Sequence, residues 1–142
     1  MIGIAVKTED HTRRVADAAQ AAEFRNLGHA AASLRKTEIE SIQNAPGPST
    51  PGTPPHTHTG GISKTGKKRR GVLQRSFAYA VDKAAGRAVV GPQASVVGEA
   101  GAAHEFGGEF RGMDYPERSF AAPALEKNLD RFAGDWRGSI GD

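Results

Sequence analysis

Hydrophobic and polar positions change rhythm several times along this chain of 142 residues. Residues 2–7 alternate Ile2, Ile4 and Val6 with small or polar neighbours, a period of two that predicts one short strand. Asp10 or Thr12 is placed to cap a following helix. From Thr12 to Asn44 there is no proline and one internal glycine, Gly28, and Val15, Ala19, Ala22, Leu27, Ala31, Leu34 and Ile42 recur at near-helical spacing. That predicts a long helix whose apolar stripe is mostly alanine, suited to lie close against a neighbour, another subunit included. Gly28 is expected either to bend it or to allow close approach.

The rhythm then stops. Between Ala45 and Gly66, Pro46, Pro48, Pro51, Pro54 and Pro55 alternate with Gly, Ser and Thr, a composition in which no regular element is expected to persist. A stretch of this length exceeds a passive connection in a compact domain, so 45–66 reads as an extended functional arm, with a linker as the alternative.

Periodicity returns after the arm. Ser76 to Asp82 alternates Phe77, Tyr79 and Val81 with smaller residues, Lys83 to Gly86 supplies a turn, and Arg87 to Val90 returns to Gly91-Pro92. This predicts a β-hairpin. Ala94 to Phe106 is expected to form a loop and a short helix ending at Gly107-Gly108, and an extended stretch runs from Tyr115-Pro116 to Phe120. From Pro123, Leu125, Leu129, Phe132 and Trp136 fall at spacings of 4, 3 and 4, predicting a helix with those side chains on its packed face. The fold class is α+β: a small, mainly antiparallel sheet flanked by a long N-terminal and a C-terminal helix, in a single domain over 1–142 with an arm at 45–66.

Composition changes this picture in one respect. Of 53 apolar residues 23 are alanine, and Val, Ile, Leu and Phe together number 25 of 142. So few large side chains, with a net charge of only +3, fit a subunit that completes its burial against partners better than a self-sufficient enzyme or a disordered chain. No cysteine is present, which removes disulfides, thiolate metal sites and cysteine nucleophiles. No apolar run approaches a membrane span and the N-terminus does not read as a signal peptide, so no membrane association is expected and the default location is the producing cell's cytoplasm. Residues 1–75 carry 12 Lys and Arg against 6 Asp and Glu, while residues 76–142 carry 7 against 10. Such polarity suits head-to-tail packing of identical subunits, or contact with nucleic acid on one side.

Three constellations invite a chemical reading. Gly61-Ile62-Ser63-Lys64-Thr65-Gly66-Lys67 matches a phosphate loop, but Lys68 stands where Ser or Thr must hold magnesium, and a proline-rich arm precedes it instead of a buried strand. His56, His58, His104 and Glu105 offer four nitrogen or oxygen ligands for a metal-dependent enzyme, yet their surroundings supply neither a rigid strand nor a nearby carboxylate. No metal or other cofactor is therefore expected. Lys67, Lys68, Arg69 and Arg70, with Arg75, form a basic run able to contact phosphates or an acidic partner, although few aromatics interleave with it. No nucleophile–base pair or close carboxylate pair is evident, so no enzymatic activity is expected.

Several phrases occur in a telling order: Pro54-Pro55-His56-Thr57-His58-Thr59-Gly60, Val72-Leu73-Gln74-Arg75-Ser76, Val81-Asp82, Val89-Val90-Gly91-Pro92, His104-Glu105-Phe106-Gly107-Gly108, and Tyr115-Pro116-Glu117-Arg118-Ser119-Phe120 leading into Pro123-Ala124-Leu125. The series resembles the tail-completion or head–tail joining proteins of tailed bacteriophages, over roughly residues 13–137. The family's usual phrase before the last helix is R-P-F-M-x-P-A-L, whereas here Ser119 replaces the proline and Ala121 the methionine. The resemblance implies a structural virion protein of the neck or tail, assembled in the host bacterial cytoplasm and joining tail to head through a ring-like interface. Its implied partners are copies of itself, tail-terminator or tail-tube proteins, head-closure or connector proteins, and DNA in the channel. On that reading Pro46, Pro48, Pro51, Pro54, Pro55, His56 and His58 contact a neighbour, and Lys67 to Arg70 face DNA or an acidic ring. Gly107 and Gly108 allow a sharp turn, and Phe106 and Phe120 wedge loops onto the sheet or pack in the core. The alternative function is a small basic nucleic-acid-binding protein.

Overall fold

A computed structural model describes residues 10–57, 62, 64–67 and 69–139. The strand expected over 2–7 lies outside them, as do His58 and Lys68. The element order is α1 (Thr12–Ser41), β1 (Gln43–Asn44), β2 (His56–Thr57), α2 (Val72–Ser76), β3 (Phe77–Asp82), β4 (Arg87–Pro92), α3 (Ala94–Val97), α4 (Ala100–Phe106), β5 (Gly108–Phe110), β6 (Met113–Tyr115) and α5 (Ala121–Arg137). The class is α+β, with a long first helix, a last helix and small antiparallel sheets between. Instead of one sheet, three two-stranded pairs form: β1–β2 parallel, β3–β4 antiparallel and β5–β6 antiparallel.

Helix α1 is the spine. Asp10 Oδ1 accepts from the Thr12 N–H at 2.9 Å, satisfying one of the orphan donors of the first turn. The helix runs unbroken past Gly28, where an added Cβ would meet nothing within 4 Å, so this glycine neither bends it nor marks a close approach. It ends at Ser41, three residues short of the expected Asn44. The reason is Gln74: its Nε2 donates to the Ile42 carbonyl at 2.6 Å and the Ile39 carbonyl at 3.4 Å, while its Oε1 accepts from the Gly71 N–H. One buried amide thus serves the carbonyls that a helix end leaves unpaired.

The hairpin β3–β4 has the expected turn and pairs Phe77 with Pro92 through to Asp82 with Arg87. Ala85 donates to the Asp82 carboxylate at 3.1 Å and Gly86 takes φ +60°, a left-handed value that glycine tolerates freely. Only its root is buried: Phe77 is in the core, while Tyr79 is 46% and Val89 64% exposed. The core itself joins Ile39, Ile42, Leu73, Phe77 and Phe120, with Phe77 and Phe120 edge-to-face at 5.3 Å. Gly101 of α4 packs tightly on the end of β4, where an added Cβ would fall 2.5 Å from the Pro92 ring.

Helix α5 runs antiparallel to α1, because Asn128 reaches Thr37 while Asp135 lies at Asn26. Its packed face differs from the expected one. Ala124 and Asn128 are buried, whereas Leu125 is 43%, Leu129 51% and Trp136 37% exposed. Leu125 and Leu129 each follow an inward residue by one position, which turns them about 100° around the helix. A small alanine and a hydrogen-bonded asparagine bring the helices together, and the large stripe is left on the flank. Asn128 Nδ2 donates to Thr37 Oγ1 and to the Ala124 carbonyl, and its Oδ1 accepts from Arg131.

Candidate functional site

Near the C-terminal end of α1, the arm, α4, the β5–β6 hairpin and the start of α5 converge. The arm is not wholly irregular, since His56 and Thr57 pair with Gln43 and Asn44. It is also fastened to the body. Gly52 N–H donates to the Glu117 carbonyl at 2.9 Å, and Arg118 Nε donates to the Ser49 carbonyl at 3.0 Å. Pro55 and Ser49 are buried, Pro54 and His56 half-buried, and Pro46, Pro48 and Pro51 exposed. A backbone donor of the arm and a side-chain donor of the body together hold a stretch whose own composition favours no ladder.

Glu105 organises the junction. Its carboxylate accepts from Ser119 Oγ at 2.7 Å and from the N–H groups of Phe120, Ala121 and Ala122 at 2.8, 2.9 and 3.1 Å. It is the cap of α5, supplied from α4 because the residue at the N-cap position, Phe120, has no oxygen to offer. Burial pushes its pKa up, but these hydrogen bonds outweigh burial and hold it below the ordinary value. Glu38 of α1, 1% exposed, stands close enough to feel that negative charge. Burial, reinforced by Glu105, raises the Glu38 pKa to about 7.

A cleft of about 690 Å³ opens between the arm, α2, α3, α4 and the β5–β6 hairpin. Its apolar walls include Leu73, Val97 and Phe110, and its polar groups come from Ser49, His56, His104, Arg111, Tyr115 and Arg118. Arg118 is only 8% exposed, and its one side-chain bond among the described residues goes to a neutral carbonyl. Ser49 Oγ and His104 Nδ1 are buried without a hydrogen-bond partner among those residues. Burial and the Arg118 charge hold His104 below its ordinary pKa, so the ring is neutral at neutral pH. The His104 ring stands edge-on to Tyr115, which in turn packs edge-on to Phe110.

Gly107 fulfils the turn expected of it: with φ +69°, an added Cβ would sit 3.0 Å from Glu117 N and 3.1 Å from the Tyr115 carbonyl. Gly108 also takes a positive φ, +103°, but has open space around it. Phe120 packs in the core, whereas Phe106 is 79% exposed and wedges nothing. It lies at the last residue of α4, next to the sharp Gly107 turn, which points the following chain away from it. Pro116 is exposed, and Pro123 occupies the first turn of α5, where its missing N–H costs nothing. His56 and His104 line one cleft, yet no three His, Asp or Glu side chains of the described residues gather as a metal site. Lys67, Arg69, Arg70 and Arg75 are exposed, and among the described residues no helix is long and apolar enough to cross a membrane.

Sequence reasoning did not single out Glu38, Ser49, Gln74, Arg118 or Asn128. Gln74 and Arg118 lie inside quoted phrases, the one signal that could have found them; the others look like ordinary surface polar residues in one dimension. No family model, no curated protein and no solved structure matches this chain.

Proposed function

We propose that the protein is a structural subunit of a tailed-phage particle, a tail-completion or neck component that joins tail to head by forming a ring-like interface. The observation that carries the assembly part of this reading is the set of large apolar side chains left outside the core. Val15 (56%), Phe24 (43%), Val89 (64%), Val96 (50%), Phe106 (79%), Leu125 and Leu129 are all exposed, while the buried cluster of larger side chains among the described residues is Ile39, Ile42, Leu73, Phe77 and Phe120. Such side chains supply apolar surface that assembly with neighbours would cover. The phage part rests on the ordered series of phrases and on a non-enzymatic reading of the chemistry. Proline-rich residues 46–51 at the surface offer stiff backbone to a neighbour at low ordering cost.

Electron microscopy of tailed particles produced with a tagged copy of this chain tests the proposal. Density for the tag at the head–tail junction is the expected result; particles lacking the chain, or normal head–tail joining after deletion of residues 46–66, contradict it. A second reading, a basic nucleic-acid-binding protein, draws on the exposed Lys67, Arg69, Arg70 and Arg75. A gel-shift titration against duplex DNA at two salt concentrations separates the two, since counterion release makes such binding strongly salt-dependent.

A further inference from the structure

The cleft beside α4 goes beyond the joining role, because it is a built site within one subunit. An arginine as buried as Arg118, 8% exposed, ordinarily faces a carboxylate, since a buried charge without a counter-charge is costly. Among the described residues Arg118 has no such partner. Its Nε is spent on the Ser49 carbonyl, and Glu105, next in the chain to His104 of the cleft wall, is committed to the α5 N-terminus through four hydrogen bonds. The ion pairs among the described residues, Lys36–Glu40 and Arg87–Asp82, do not involve it. Ser49, 5% exposed, lies on the same wall, with its Oγ enclosed and without a hydrogen-bond partner among the described residues.

The geometry points to Arg118 and Ser49 as the binding site for a carboxylate joined to an apolar body. A planar carboxylate matches the pair of terminal guanidinium nitrogens for which Arg118 has no partner among the described residues. Leu73, Val97 and Phe110 provide an apolar wall for the rest of the ligand, and Arg111 at the rim adds a second positive charge. A neutral His104 opposes an incoming anion with no charge of its own. A carboxylate prevails over a phosphate dianion here because Arg118 is the buried guanidinium of the cleft, while the charge of Arg111, exposed at the rim, is screened by solvent. The carboxylate's source is either a glutamate or aspartate side chain of a protein segment or a small apolar acid.

Binding of N-acetyl-phenylalanine to the full chain, followed by NMR and compared with N-acetyl-phenylalaninamide, tests this directly. The two probes share a body and differ in one charge. The acid is expected to bind at least tenfold more tightly, shifting resonances of His104, Phe110 and Tyr115. A capped tripeptide Val-Glu-Val that binds more tightly than the free acid assigns the source as a protein side chain; the reverse order assigns a small acid. Arg118→Lys keeps the charge but loses the planar fork, and is expected to reduce the acid-over-amide preference at least fivefold. Should that variant unfold, the wild-type comparison still decides. Equal binding of acid and amide, binding of neither at tens of millimolar, or inorganic phosphate displacing the acid at equal concentration overturns the inference.

Discussion

Around the last third of α1, Ile39 and Ile42 meet Leu73, Phe77 and Phe120, and buried polar groups fasten every element that arrives there. Gln74 holds the helix end, Glu105 caps α5, Arg118 binds the arm, and Arg35 Nε donates to the Phe77 carbonyl at 2.7 Å. Along the first two-thirds of α1 the contacts are of another kind. Ala22 and Ala31 are buried, while Val15 and Phe24 face outward; Lys83 lies over the Phe24 ring at 5.7 Å, and Asn26 reaches the Asp135 carbonyl at a long 3.4 Å. Large side chains and directed hydrogen bonds define one region, and alanine contact with exposed aromatics defines the other. The difference separates what folds the chain from the surface that the proposed assembly would cover.

Truncating the core is the severest way to probe this contrast. Phe120→Ala removes the edge-to-face partner of Phe77 and is expected to cost about 3–5 kcal/mol, abolishing a cooperative urea transition. The same truncation at Phe24 in the outer region is expected to cost less than about 1 kcal/mol. A comparable loss at both positions would erase the distinction.

The next effect depends on pH. The pKa of Glu38, about 7 against an ordinary 4.5, means the folded chain keeps a proton there that the unfolded chain releases between those values. This contribution is therefore full below the unfolded pKa and lost as pH rises through about 7. The loss is on the order of 3 kcal/mol, and Glu38→Gln is expected to flatten it in denaturant midpoints measured from pH 5 to 8. Glu105 has the opposite sign: its pKa is lowered, so its contribution is present above the unfolded value and fades as pH falls through the folded one. Glu105→Gln removes the charged cap and is expected to cost about 1–3 kcal/mol at pH 7, with fraying of α5 visible by amide exchange at Ala121 and Ala122.

The smallest effect is a gain. Gly28 sits in the interior of α1 with open space where a Cβ would go, so Gly28→Ala is expected to stabilise by about 0.5–1 kcal/mol. A loss would mean that the outer region is packed more closely than its alanine contacts suggest.

These contrasts also explain how far the sequence alone could be followed. The β3–β4 hairpin was legible because its turn chemistry and alternation are local, and α1 was legible from its uninterrupted stripe. The existence of α5 followed from spacing, but not its inward face, since Leu125 and Leu129 outrank Ala124 and Asn128 on any hydrophobic scale while helix contact favours the small residue. The β5–β6 hairpin was missed because its two-residue turn, Arg111-Gly112, places a non-glycine residue at φ +53°, helped by the Arg111 guanidinium lying over Phe110 at 5.2 Å. Of the site, the Gly107 turn could be read from composition. The roles of Glu105, Gln74 and Arg118 could not, because each bonds to residues far away in the chain.

The central claim is that the exposed apolar faces of α1, α5 and the β3–β4 hairpin are assembly surfaces. Sedimentation velocity over a hundredfold range of protein concentration, on the wild type and on Leu129→Asp, tests it most directly. The expected result is a mass that climbs above the 14.9 kDa of one chain as concentration rises, and a shift back toward the monomer in the variant with its fold intact. A monomer of 14.9 kDa at every concentration, melting cooperatively near ~60 °C as an ordinary self-sufficient domain does, would contradict it.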